Sequence, residues 1–108
     1  MLVELILNIL FNIHNIMVKF YYANDGVHKL VAVFDDGTHT SFGALGYEDF
    51  TQHGDPKRKK LYLNRHKKRE DWTNPKTAGA LSRYILWNKP TLIESIHDYV
   101  KRFNMHLE

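Results

Sequence analysis

A run of basic residues is the feature of this sequence with the clearest chemical meaning. Residues 57–69 contain eight lysines and arginines and no acidic residue. Ammonium and guanidinium groups at this density are typical of a surface that binds a polyanion, because each one can neutralise a phosphate or a carboxylate. The residues that we predict to contact a polyanion or an acidic partner are Lys57, Arg58, Lys59, Lys60, Arg65, Lys67, Lys68 and Arg69.

The positive charge is confined to this run. The whole chain has a net charge of +3, yet the seven basic residues outside the run are outnumbered by the 12 acidic residues of the protein. A simpler interpretation is a solvated helix face that Asp55, Glu70 and Asp71 partly neutralise. Eight unrelieved charges exceed what solubility requires, so we prefer the binding interpretation.

Patterns that would indicate catalysis or a metal are absent from the sequence. There is no cysteine, and the seven histidines show neither H-x-x-x-H nor H-E-x-x-H spacing. Acids at 48, 49, 55, 70 and 71 could surround a divalent metal, but they are explained more simply as helix N-terminal residues or counterions. We therefore predict a non-enzymatic protein with no catalytic residue, metal or cofactor, although residues that only folding brings together would leave no such pattern.

Short β-branched and aromatic segments predict a sheet in the first half of the chain. Strands are expected at residues 18–23, 27–34 and 38–42, separated by the turn sequences Asn24–Gly26 and Asp35–Gly37. Both faces of the middle strand are substantially apolar. We expect helices to cover one face, and the N-terminal segment or a partner to cover the other.

The second half of the chain is predicted to be helical. Gly43 and Gly46 predict a bend, followed by a short helical turn within residues 47–52. Helices are then predicted at 56–67, 75–87 and 91–103, with start signals at Asp55–Pro56, Asn74–Pro75 and the capping box Thr91–Glu94. The fold class is therefore α+β, a three-stranded antiparallel meander followed by a three-helix half.

Two side chains receive specific packing predictions within these helices. Leu61 is expected to point inward from the basic helix. Trp87 is expected to pack on Ile93 and Ile96, which share the predicted apolar stripe of the last helix with Val100 and Phe103.

Residues 1–16 form an apolar segment ahead of a predicted domain at residues 17–108. Apolar residues recur at helical spacing, which predicts an amphipathic helix that docks on this domain or on a neighbour. Attachment to a membrane surface is the weaker alternative, because the polar face lacks lysine and arginine. The predicted docking residues are Leu2, Leu5, Ile6, Ile9, Ile13 and Ile16.

Several unusual motifs carry a resemblance over residues 41–103. They are FGA at 42–44, GYEDFTQH at 46–53, the residues RKK, Y and RH within 58–66, EDWTNPKTAGALSRYILWNKPT at 70–91, and YVKRF at 99–103. With these motifs the chain resembles a family of small, functionally uncharacterised proteins of giant DNA viruses, the nucleocytoplasmic large DNA viruses that include chlorella-virus and mimivirus relatives. The resemblance implies a viral origin and no activity, and residues 1–16 lie outside its pattern.

Two classes of function are compatible with these features. The first is a structural or assembly protein of the virion, a minor capsid or virion-associated adaptor that docks on larger virion proteins and passes through the host cytoplasm during assembly. The second is an accessory protein that binds nucleic acid through the basic helix. The sequence favours the first by a narrow margin, because the remainder of the chain is acidic and exposed apolar surfaces ordinarily mark protein interfaces.

Overall fold

The computed structural model describes residues 2–6 and 16–108. Within them the protein is an α+β domain in which a four-stranded mixed sheet packs against helices. The strands are β1 (Ile16–Tyr22), β2 (His28–Phe34), β3 (His39–Ala44) and β4 (Met105–Leu107). The helices are α1 (described over residues 2–6), α2 (Phe50–His53), α3 (Pro56–His66), α4 (Ala78–Leu81), which continues as a π-helix (Ser82–Leu86), and α5 (Leu92–Arg102).

The sheet has the strand order β3-β2-β1-β4. The predicted antiparallel meander β1-β2-β3 is confirmed, with Val18 opposite Phe34 and Leu30 opposite Phe42. The prediction missed β4, which pairs parallel to β1 at the sheet edge. Asn104 adopts a positive φ of 55° and turns the chain from α5 into this short strand.

Turn chemistry explains where the strands end. Gly26 and Gly37 have φ angles of 73° and 88°, which other residues rarely adopt, so the two predicted turns form where the glycines stand. Gly43 and Gly46, at 79° and 90°, then bend the chain away from the sheet towards α2.

The core lies between one face of the sheet and the helices. Buried side chains of alternate strand residues meet buried residues of α4, the π-helix and α5. Phe20 joins the two layers, since its ring contacts Phe42 and Tyr99 edge-on. The fully or nearly fully buried residues of this cluster are Val18, Leu30, Ala32, Phe34, Phe42, Leu81, Ile85, Leu86, Ile96, Tyr99 and Met105.

The middle helix differs from its prediction. It begins at Ala78 rather than at Pro75, and Thr77 is the N-cap, its hydroxyl accepting from the Ala80 N–H at 3.1 Å. Asn74 instead closes a turn, since its side-chain oxygen accepts from the Lys76 N–H. The last turns are π-helical, so the predicted helix of residues 75–87 is a short α-helix joined to a π-helix.

The last helix follows the predicted stripe except at Ile93. Ile96 is buried, and Val100 and Phe103 are partly buried against the core, whereas Ile93 is 67% exposed. Tyr99 is fully buried. Tyr99 also donates its hydroxyl to the Pro75 carbonyl at 2.7 Å, which fixes the segment before α4. Thr91 caps the helix at the Glu94 N–H, while its hydroxyl contacts the Glu94 carboxylate.

The N-terminal prediction is only partly covered by the described residues. Leu2, Leu5 and Ile6 are helical and exposed, whereas Ile9 and Ile13 lie outside the described residues. Ile16 is not part of that helix: it pairs with Met105 in the sheet and packs against the core, so its assignment as a docking residue was wrong.

Candidate functional site

Helix α3, which carries most of the basic run, is held in one orientation at its start. Asp55 accepts from the Lys57 N–H at 2.9 Å and Pro56 occupies the first turn, as the sequence predicts. The Asp55 N–H in turn donates to His53 Nδ1 at 2.9 Å. The helix therefore enters at a fixed angle from α2.

An aromatic stack then fixes which face of α3 points inward. Tyr62 is buried and lies between His66 and Trp87, with ring centroids 4.1 and 4.2 Å away and the tryptophan ring tilted by only 4°. Burial, followed by the charge of Glu70, raises the pKa of Tyr62 to about 12. Tyr62, rather than the predicted Leu61, is thus the anchor, and Leu61 is 57% exposed. Trp87 packs on this stack, and the exposed Ile93 is not the partner that we predicted.

Seven of the eight predicted basic residues are exposed, and we call them the basic face. The eighth, Lys59, is turned towards the domain: its ammonium donates to the Asn88 carbonyl at 2.6 Å and lies 4.9 Å from the centre of the Phe50 ring. Burial lowers the pKa of Lys59, as expected for a lysine with a structural role. The basic face consists of Lys57, Arg58, Lys60, Arg65, Lys67, Lys68 and Arg69.

The acids near the run in sequence do not neutralise it. Asp55 caps α3. Asp71 accepts hydrogen bonds from the Thr73 hydroxyl and, at 2.9 Å, from the Thr73 N–H, and these two bonds lower the pKa of Asp71. Glu70 accepts from His66 and Trp72. Among the described residues, Arg58 is the one basic-face residue with an ion pair, at 3.6 Å from Glu48. Six exposed cations therefore remain without an acidic partner in this part of the chain.

A cavity of about 630 Å³ adjoins the basic face. One wall is a face of α3, another is formed by α4 and the π-helix, and the third comes from the segment between β3 and α2. Leu61 and Tyr47, which are 57% and 74% exposed, present apolar surface to it. Arg58 and Arg65 belong both to the cavity wall and to the basic face, so the two features are continuous.

Two polar groups in the cavity wall are held in place by neighbours. His66 Nδ1 lies 2.8 Å from Glu70 Oε1, and Trp72 Nε1 donates to Glu70 Oε2 at 3.0 Å. Gly79 leaves room for this arrangement, since a Cβ there would lie 2.7 Å from Glu70 Oε2.

A second network holds the segment between β3 and α2. Lys29 donates to Asp49 at 2.7 Å and to Gln52 at 2.9 Å, and Asp49 and Gln52 form the capping box of α2. Asp49 is only 3% exposed and the Lys29 side chain 17%, so the ion pair is largely removed from water. The segment that carries Tyr47 and Glu48 is thereby fixed beside the cavity.

The sequence had no local signal for the cavity, because its walls come from segments that are far apart in the chain. The described residues contain no group of three or more histidine, cysteine, aspartate or glutamate side chains placed to hold a metal ion. Across the described part of the chain, we find no helix with the length and apolar character needed to span a membrane.

Comparison with known proteins adds a family of unknown function. Residues 18–66, from β1 to the end of α3, match the model of the family DUF5754. The matched region is less than half of the chain. It contains most of β1, all of β2, β3, α2 and α3, and four of the seven residues of the basic face. No curated protein and no solved structure matches the chain. The family description gives neither a source nor an activity, so the resemblance to giant-virus proteins stays a prediction.

Proposed function

We propose that this protein is a non-enzymatic accessory protein that binds the phosphate backbone of nucleic acid through the basic face. The observation that carries the proposal is the set of six exposed cations without an acidic partner among the described residues. The acids that could have neutralised them have other partners: Asp55 caps α3, Asp71 binds Thr73, and Glu70 binds His66 and Trp72. The simpler interpretation, a solvated and neutralised helix face, therefore loses its support.

The geometry of α3 favours an extended polyanion. Its 11 residues span about 16 Å, and the turn at residues 67–69 extends the charge beyond the helix end. A surface of this length can contact several phosphates at once, and each contact releases counterions. Because the chain has no base-reading motif, we expect affinity with little sequence preference.

We therefore rank nucleic-acid binding above a role in virion assembly, whereas the sequence alone narrowly favoured assembly. That preference depended on apolar surface without a partner, and part of it is lost because Ile16 belongs to the sheet. Leu61 lies among the cations rather than in the core, which adds apolar contact area to the basic face.

The test is the salt dependence of DNA binding by the full chain and by a variant with Lys57, Lys60, Lys67 and Lys68 changed to glutamine. Glutamine keeps helix propensity, so folding should change by only tenths of a kcal/mol per position. Duplex affinity should fall for every sequence, and the log–log salt slope should shrink by up to about 0.9 for each lost phosphate contact.

A matched comparison separates location from net charge. The double variant Lys60→Gln/Lys67→Gln removes two charges from the basic face, and Lys19→Gln/Lys101→Gln removes two elsewhere. We expect the first pair to weaken binding far more than the second. Equal losses for the two pairs would contradict the proposal, because the binding would then follow net charge alone.

An assembly adaptor of the virion is the second candidate, supported by a separate observation. Leu2, Val3, Leu5 and Ile6 are exposed apolar residues, and Tyr21 on the sheet is 50% exposed. In this role the partners are larger virion or capsid proteins, and membrane contact by the N-terminal segment is the weaker option. Tight binding to polyglutamate, together with DNA binding that is already weak at physiological salt, would favour this candidate.

A further inference from the structure

The most unusual side chain in the cavity wall is Leu61. It lies on α3 between Arg58, three residues earlier, and Arg65, four residues later, so the three side chains share one helix face. A leucine that is 57% exposed between two cations contributes nothing to the core. An apolar patch with a cation on each side along the helix fits a ligand that has both a flat apolar part and anionic groups.

Tyr47 supplies a second apolar surface in the same cavity. Its side chain is 74% exposed, although the segment that carries it is fixed by the buried Asp49 and its partner Lys29. An exposed aromatic ring on a fixed segment is a preorganised surface for stacking. The volume of about 630 Å³ lies within the range of small-molecule sites.

Two polar side chains of the cavity wall, His66 and Glu70, offer hydrogen-bond acceptors. A neutral His66 that donates its Nδ1 proton to Glu70 has Nε2 as an acceptor, and no partner for Nε2 occurs among the described residues. The two oxygens of Glu70 each receive one hydrogen bond and can accept another. The cavity wall therefore complements a ligand edge that carries N–H donors.

We infer that this cavity binds one nucleotide whose base carries an exocyclic amine, namely adenine, cytosine or guanine, with its phosphate on Arg58 or Arg65. The amine donates to the acceptors of the wall, as it does to carboxylate and amide oxygens elsewhere. The base stacks on Tyr47 and lies against Leu61. This inference rests on the proposed function in one respect: the nucleotide is an unpaired residue of the strand that the basic face holds.

Titration with mononucleotides tests the cavity separately from the basic face. AMP, CMP, GMP, UMP and inorganic phosphate are added to the full-length protein, and binding is followed by amide and indole NMR shifts. We expect saturable shifts of the Tyr47, Leu61 and Trp87 signals with AMP, CMP and GMP, and at least about fivefold weaker binding of UMP. Equal affinities for the four nucleotides, or full competition by inorganic phosphate at the same concentration, would overturn the assignment.

Two variants identify the contacts. Tyr47→Ala should weaken AMP binding about tenfold, the magnitude usual for the loss of one base-stacking contact, whereas Tyr47→Phe should keep the affinity of the native protein. Leu61→Ser changes a second exposed side chain, so the protein should stay folded while its affinity for AMP falls. Unchanged AMP affinity in Tyr47→Ala or in Leu61→Ser would contradict the proposed position of the base.

The quadruple glutamine variant distinguishes failure of this inference from failure of the proposed function. All four of its changed lysines lie outside the cavity wall. It should therefore bind AMP like the native protein, even though its duplex affinity falls. Loss of AMP binding in that variant would show that the nucleotide occupies the basic face through its phosphate, and the cavity assignment would be wrong. Retained AMP binding in a native protein that binds no DNA would reject the proposed function and keep the cavity as a nucleotide site.

Discussion

Substitution of Gly79 by alanine should reveal how the Glu70 carboxylate is held. Alanine normally stabilises a helix relative to glycine by up to about 1 kcal/mol, and Gly79 lies inside α4. At this position, however, the new methyl group would lie 2.7 Å from Glu70 Oε2 and 2.9 Å from its carboxyl carbon. The carboxylate must move, and its hydrogen bonds to His66 and Trp72 must lengthen or break.

The expected magnitude follows from those two hydrogen bonds. Bonds to a charged group contribute about 1.5–3 kcal/mol each when buried. The side chains of Glu70 and His66 are 24% and 28% exposed, so water replaces part of what is lost. We therefore expect a cost of about 1–3 kcal/mol, which outweighs the helix gain. Gly79→Ala should destabilise the native protein by about 0.5–2 kcal/mol.

A double-mutant cycle makes the reasoning decisive. In a Glu70→Ala background nothing obstructs the methyl group, so Gly79→Ala should stabilise the protein by about 0.5 kcal/mol through helix propensity alone. The assay is urea unfolding of the four proteins, followed by tryptophan fluorescence and circular dichroism. If Gly79→Ala has the same effect in both backgrounds within about 0.3 kcal/mol, the contact with Glu70 does not constrain this site and the reasoning is refuted.

Three further changes test the anchoring of α3. Trp87→Ala should cost about 2–4 kcal/mol in urea unfolding, because the half-buried indole stacks on Tyr62 and packs against the core; a loss under 1 kcal/mol would contradict that packing. Asp55→Ala should cost about 1 kcal/mol in the same measurement and reduce helix content, and no change would mean that the cap is dispensable. The raised pKa of Tyr62 means that the fold holds the phenol proton, so this stabilisation is complete below about pH 10 and is lost as the pH rises to about 12. Tyr62→Phe should therefore lose less stability than the native protein between these pH values, and equal losses would refute the assignment.

The sequence predicted those elements whose signals are local. Asp55–Pro56 sets the start of α3 through a side-chain cap and a fixed proline φ, both of which act within three residues. Gly26 and Gly37 define the hairpins in the same way, through backbone angles that few other residues adopt. Such signals do not depend on the rest of the fold, which is why the meander and the basic helix were predicted within a few residues of their ends.

The inward face of α3 could not be read from its own sequence. Leu61, Tyr62 and Leu63 are consecutive, and successive helix residues are about 100° apart, so the three together cover most of the helix circumference. Trp87, which is 25 residues away from Tyr62, selects the tyrosine by stacking on it. Strand β4 was missed for a related reason: three residues are too few for their alternation to predict a strand, and their pairing with β1 depends on where α5 and Asn104 direct the chain.

The two proposed binding surfaces, the cavity and the basic face, lie on different faces of α3. Tyr62 and His66 turn one face towards Trp87 and Glu70, which builds the cavity wall. The same contacts leave the lysines on the opposite side exposed to solvent, where a backbone can follow them. Arg58 and Arg65 lie at the boundary, about 10 Å apart along the helix axis, and reach both surfaces. In the binding mode that we propose, a strand held by the lysines places one unpaired base in the cavity while its neighbouring phosphates stay on the helix. The aromatic stack that stabilises α3 would then also set the geometry of binding.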